Sequence, residues 1–390
     1  MAGTEISVRK TSWKGRPGYR LTNGEVQITA LTGGGSIAEL RSKCGPEQWS
    51  PNLLWEAPWT TMDPGGFQPR HERQYGTPFV GKFLAPFTGH VVCLDYFGAP
   101  SQEEKACGLT LHGEACVARW KVTPSPGGVT MQARLPFAGL DLRREVRLLK
   151  GESAIYVSET VINRKPVDHL LHWVQHVTLG PPFLASSESS IAAPAKQGKT
   201  WPHGYEGRSL LADDRRFRWP MAPREGGGSV DLSRPFTEEG KGFVAATAFD
   251  TTREWAFVAV LNFRLCLLLG FCFPRATYPW LTFWEENRAR SGPPWNGRTA
   301  ARGFEFGTTP FPVGREAAFS MGSLFGVPVF RRVGAKGSLR ANYAIFAAAV
   351  SPEWRKIADV RVESKAIVVT AGHGGRISIA ARDMARIGKA

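Results

Sequence analysis

Paired cysteines are missing from this chain. Its six thiols, Cys44, Cys93, Cys107, Cys116, Cys266 and Cys272, form no CxxC motif and mostly fall inside apolar runs, which argues for buried reduced thiols rather than a disulfide framework. The first twenty residues, MAGTEISVRKTSWKGRPGYR, contain no apolar h-region, so no secretory signal is expected and a cytoplasmic location follows by default. The longest apolar stretch, FVAVLNFRLCLLLGFCF, is 17 residues long and is broken by Asn262 and Arg264. A membrane span needs about 20 largely uncharged residues, so two buried strands with a polar join are expected here and no membrane partner. GxSxG, P-loop, HExxH and helix-opening GxGxxG motifs are all absent, which removes the usual signatures of hydrolases, nucleotide-binding enzymes and zincins. His71 and Glu72 in QPRHERQYG have no second ligand cluster at metal spacing, so no metal is expected.

No Lys/Arg-rich run stands out either, although 49 Lys and Arg against 34 Asp and Glu give a net charge of +15. Basic residues scattered over the whole length read as a solvated surface rather than a nucleic-acid footprint. The excess also leaves room for an anionic small substrate.

Bulky aromatics are plentiful, with 13 Trp and 23 Phe, and the 42% hydrophobic fraction is ample for a large core. The 28 Pro and 43 Gly are dispersed, which suggests many turns between strands. Residues 19–42, YRLTNGEVQITALTGGGSIAELRS, read as a three-strand opening, since Asn23-Gly24 is a hairpin signal and Gly33 to Gly35 turn the chain again. From 116 to 179 the segments VARWKVTP, VTMQARLPF, LDLRREVRLLK, AIYVSETVIN and HLLHWVQHVTL, joined by short turns, predict a five-stranded antiparallel meander. Residues 186–242 are rich in Ser, Pro, Gly and charge and are expected to be an excursion of loops. Strand patterns such as AIVVTA and RISIAA then run to the end. The expectation is one all-β domain over 1–390.

Three segments carry candidate chemistry. In NRKPVDHLLHWVQHVTLGPPFL, His172 and His176 share a face, because strand side chains alternate with period two. A histidine held rigidly in a sheet can exchange protons near neutral pH. LTLHGEACVARW puts His112 and Glu114 at a possible strand end, with Gly113 allowing close backbone approach. The late segment YPWLTFWEENRARSGPPWNGRTAARGFEFGTTPFP combines Trp284 and Trp295 with Glu285, Glu286, Arg298 and Glu305. Aromatic faces for sugar CH groups, with carboxylates and amides such as that of Asn296 for hydroxyls, are what a carbohydrate pocket needs. Glu305 between Phe304 and Phe306 suits a carboxyl of raised proton affinity. Glu285 and Glu286 are adjacent, so at most one can serve a given pocket. Paired carboxylates among these three also keep a glycoside hydrolase in view.

In this order, YRLTNGEVQITALTGGGSIAELRS, LHGEACVARW, VINRKPVDHLLHWVQHVTLG, FPRATYPWLTFWEEN and GFEFGTTPFP resemble the galactose mutarotase-like, or aldose 1-epimerase, superfamily. The resemblance spans about 18–312 and implies a β-supersandwich with a sugar cleft on one sheet. It implies His176 as general acid on the ring oxygen, Glu305 as general base on the anomeric hydroxyl, and His112 in substrate binding. Arg70 or Arg73 stands where such proteins often carry a binding arginine. Ring opening, rotation about C1–C2 and reclosure would interconvert anomers without a cofactor. The rival expectation is a non-catalytic carbohydrate-binding protein using the same cleft. Departures after His176 (Val-Thr-Leu-Gly-Pro-Pro) and after Glu305 (Phe-Gly-Thr-Thr-Pro) leave the sugar open. Arg298 and Arg302 beside the late Glu segment point towards an acidic or phosphorylated one. The geometry required is a single cleft with a pyranose between His176 and Glu305 and His112 on its wall.

Overall fold

A computed structural model describes residues 5–45 and 48–389. Two antiparallel sheets face each other, as the alternating strand patterns require. Among the described residues the larger has 14 strands. Its centre runs in the order Ile37–Ser42, His90–Asp95, His169–Leu179, Ala300–Gly307, Trp280–Asn287, Lys241–Phe249. The second has 8 strands and runs from Ser189–Ala192 through Trp255–Asn262, Leu267–Pro274, Ser338–Ala349, Ala154–Asn163, Leu140–Leu148 and Gly128–Leu135 to Lys121–Ser125. No helix of the described residues is long and apolar enough to cross a membrane.

The opening strands form as expected. Asn23 Oδ1 accepts from the backbone N–H groups of Glu25 and Val26, closing the turn between Arg16–Thr22 and Val26–Leu31. The long apolar run is the hairpin of Trp255–Asn262 and Leu267–Pro274, with Asn262 Oδ1 accepting from Leu265 N at the join.

Two expectations fail instructively. Four strands of the predicted meander are neighbours in the smaller sheet, but the fifth, His169–Leu179, crosses to the centre of the larger one. Asn163 fixes the crossing, its amide donating to the carbonyls of Val167 and Gly334. Ten of the eleven residues in that strand are buried, so it needs cover on both faces, which the sheet centre supplies. The supposed loop excursion also contains strands. Ala195–Thr200, Arg216–Arg218, Met221–Pro223 and Ser229–Asp231 extend one edge of the larger sheet, and Ser189–Ala192 caps the smaller. Their brevity hides any period from a sequence reading.

Between the sheets lies an aromatic interior that includes Trp173, Phe271, Phe273, Tyr278, Phe306 and Tyr343. A polar network crosses it. Glu159 takes Arg144 Nε on one oxygen at 2.6 Å, and Trp173 Nε1 and Gln175 Nε2 on the other at 2.8 and 2.6 Å. The outward residues Phe257, Ala259 and Leu261 are apolar as well and are buried under a three-stranded sheet at 357–380 through Ile367, Val369 and Ile379.

Candidate active site

Strand parity determines what faces outward from the larger sheet. On His169–Leu179, Val177 turns into the sandwich and His176 away from it; on Ala300–Gly307, Phe304 and Phe306 turn inward and Glu305 outward. The two strands are antiparallel neighbours, and His176 stands directly opposite Glu305 in register. Their side chains meet, with Nε2 3.1 Å from Oε1.

Above this pair is a cavity of about 250 Å³, below the range usual for drug-sized ligands and suited to one small ring. Phe83, Phe87, Phe97, Trp284 and Trp295 supply apolar walls, and His112 and Arg290 polar ones. Phe87 meets the His176 ring edge-on at 5.3 Å, and Trp284 and Trp295 meet each other at 5.8 Å and 66°. Trp284 is fixed by donating to Tyr205 Oη, which donates in turn to Glu286.

Burial dominates the electrostatics. It holds the Glu305 carboxyl well above the usual carboxylate range and pushes His176 down to about 3. His176 Nδ1 lies 3.2 Å from the Thr178 hydroxyl two residues along the same face, which orients the ring. His112 is stacked on Phe97 at 5.0 Å, with its ring 5.6 Å from that of His176. Gly98 N donates to His112 Nδ1 at 3.1 Å, so in the neutral ring that burial enforces, Nε2 carries the hydrogen.

Five of the eight residues expected from the sequence line this cavity: His112, His176, Trp284, Trp295 and Glu305. Three do not. Glu285 is turned into the sandwich, where its Oε2 accepts from Phe236 N at 3.0 Å and from Arg302 Nη1 at 3.2 Å. Trp284 faces the cavity, so its neighbour cannot. Arg70 and Arg298 are exposed and outside the cavity lining. Arg302 is fully buried with Glu285, leaving no fork for a ligand. His172 shares a face with His176 but lies beyond Phe97, whose N–H donates to its Nδ1. Glu114 points elsewhere, accepting from the N–H groups of Phe137 and Ala138. A pyranose cannot stand between two groups 3.1 Å apart, so a ring must lie across the pair.

Sequence reasoning missed Arg290, Phe83 and Phe87. Arg290 lies over the rings of Tyr205 and Trp295 at 4.7 and 4.9 Å, and its Nε donates to Glu206 at 2.8 Å. The Arg-Ala-Arg spacing in the late segment offered a signal, but only the fold distinguishes Arg290 from Arg288.

No protein-family model and no curated protein matches the sequence. Solved structures do. A candidate aldose 1-epimerase of Klebsiella pneumoniae subsp. pneumoniae superposes with a TM-score of 0.60 at 16% identity, covering 89% of this chain and 84% of the other. A galactose mutarotase-like protein of Clostridium acetobutylicum gives 0.57 at 11% identity, covering 89% and 99%. A galactose mutarotase related enzyme of Lactobacillus acidophilus gives 0.54 at 11%, covering 86% and 98%. This chain has the galactose mutarotase-like fold. The fold puts the His176–Glu305 pair on the outward face of the larger sheet, under the aromatic cavity.

Proposed function

We propose that this protein is an aldose 1-epimerase-like isomerase that interconverts sugar anomers by acid-base catalysis at His176 and Glu305. The observation that carries the reading is the cross-register pair, 3.1 Å apart at the floor of a cavity of one-ring size with aromatic walls. A pyranose lying across the pair would present O5 and the anomeric O1 to two proton-exchanging groups at once. The shared proton first passes from Glu305 to His176 Nε2 across the 3.1 Å contact; His176 then gives it to O5 while the Glu305 carboxylate takes one from the O1 hydroxyl, so the C1–O5 bond breaks and C1 becomes an aldehyde carbon. Rotation about C1–C2 exposes the other face. On reclosure O5 attacks C1, the O5 proton returns to His176, and O1 regains its proton from Glu305. No cofactor enters the balance. The proton count of the pair is the same whether the carboxyl or the imidazole holds its one shared proton, and burial favours the carboxyl.

Arg290 is already engaged by Glu206 and lies 3.7 Å from Glu286, which supports a neutral sugar over the acidic or phosphorylated one that composition suggests. The second reading, a non-catalytic sugar-binding protein, is favoured by the uncharged state that burial gives both groups. A mutarotation screen by polarimetry or NMR over neutral hexoses and pentoses, uronates and sugar phosphates separates the two. Anomerisation above the solvent rate, lost in His176→Ala, supports catalysis; sugar binding without any acceleration supports the binder.

A further inference from the structure

On the other side of the cavity wall lies a much larger groove. Lys82 and Thr110 face this groove while their neighbours Phe83 and Leu111 face the cavity, so the two spaces share the wall made by residues 82–84 and 109–112. The groove encloses about 1000 Å³. It continues, through the shared residues Arg119 and Lys121, into a second depression of about 760 Å³ that reaches Lys10 and Tyr19. The path thus runs along the open side of the sandwich, from the outer face of Gly128–Leu135 to the strand Arg16–Thr22.

Its charge is one-sided. Lys10, Lys82, Arg119, Lys121 and Arg134 line it, and among the described residues none of these pairs with a carboxylate. The acidic residues present are already occupied: Glu114 by two backbone N–H groups and Asp141 by Arg164. Unpaired cations lining a continuous concave path attract an extended polyanion rather than a single small anion. Guanidinium forks suit carboxylate or sulfate groups, while Thr11, Thr32 and Gln132 offer hydroxyl and amide partners beside them. A single-stranded nucleic acid would want a series of open aromatic platforms. Of the rings along the groove, Phe137 is exposed at 56%, Tyr19 is half-buried and Trp120 is buried at 2%, which is no such series.

We infer that this groove binds an acidic glycan chain, one carrying uronate or sulfate groups, alongside the cavity. The site stands on its own residues, so it survives or fails independently of the proposed isomerase activity. The test measures polygalacturonate binding at low and high salt by titration calorimetry, using the full chain, the double variant Arg119→Glu/Lys121→Glu, and a control, Lys365→Glu/Arg376→Glu, on the exposed C-terminal sheet. The control imposes the same change in net charge away from the groove. The groove variant should bind at least about tenfold more weakly, as loss of a charge-assisted contact implies, with thermal unfolding unchanged and the control like wild type. An equal loss in the control, or no loss in the groove variant, would overturn the site. Tighter binding of oligo(dT) than of polygalacturonate, with the same sensitivity to the groove variant, would overturn the glycan assignment.

Discussion

The carboxylate of Glu305 leans back over Gly303, two residues earlier on the same strand face: a Cβ at Gly303 would come within 2.4 Å of Glu305 Oε1. The glycine is what lets the carboxylate lie where it meets His176. Gly303→Ala introduces no unfavourable φ, and the nearest atoms it meets belong to this one side chain. The substitution should push Glu305 off His176 and lower mutarotation by about 10²-fold, as misplacement by an ångström can do. Thermal unfolding and initial-rate polarimetry on the same variant provide the check; an unchanged rate in a folded protein would show that the carboxylate position does not matter.

Direct removal of either partner should cost about 10²–10⁴-fold in turnover, the usual worth of one positioned acid or base. His176→Ala and Glu305→Gln therefore each fall in that range, and their double variant loses far less than the product, since the pair acts as a unit. Strictly multiplicative losses would indicate two independent roles.

Stability should report the pair through pH. Glu305 has its folded pKa raised, so its contribution is full below the unfolded value and is lost as pH rises towards the folded one. His176 is lowered to about 3, so its contribution is full above the unfolded value of 6.5 and is lost as pH falls through 3. Glu305→Gln removes only the first dependence. Relative to wild type the variant should gain stability as pH rises from 5 to 8, by up to about 1.4 kcal/mol per unit. Urea unfolding at those two pH values measures it; a difference that stays flat over that range would mean an ionised Glu305 in the folded state.

Much of this was legible beforehand, because strand period is written in the sequence. His176 and Glu305 emerge from alternation flanked by core residues such as Val177, Phe304 and Phe306. Alternation also says that Trp284 and Glu285 cannot share a pocket, so one of the two had to be dropped. What alternation does not carry is register: only the pairing of Glu285 with Arg302 and Trp284 with Gly303 reveals which face is outward. Loops and single-turn helices have no usable period, so Arg70, Arg298 and Arg290 could not be ranked. The crossing of His169–Leu179 between sheets was equally hidden, since a four-residue turn and a crossover connection can begin with the same Asn-Arg-Lys-Pro.

Beneath the candidate site, Glu159 ties the smaller sheet to the strand that carries His176. It is fully buried, and its two oxygens serve Arg144, Trp173 and Gln175, the last adjacent to His176. Arg144 is otherwise held by the Gly35 carbonyl at 2.7 Å and by the face of the Trp120 ring at 5.3 Å. Glu159→Ala would strand a buried guanidinium and leave the Trp173 indole N–H without its carboxylate, and breaking a buried pair in this way costs about 3–5 kcal/mol. Arg144→Met/Glu159→Leu removes both charges and should recover part of that loss, because an apolar replacement leaves no uncompensated ion. Chemical denaturation of the single and double variants separates the cases. A double variant no more stable than Glu159→Ala would mean that the remaining bonds to Trp173 and Gln175, rather than the ion pair, hold the two sheets in register.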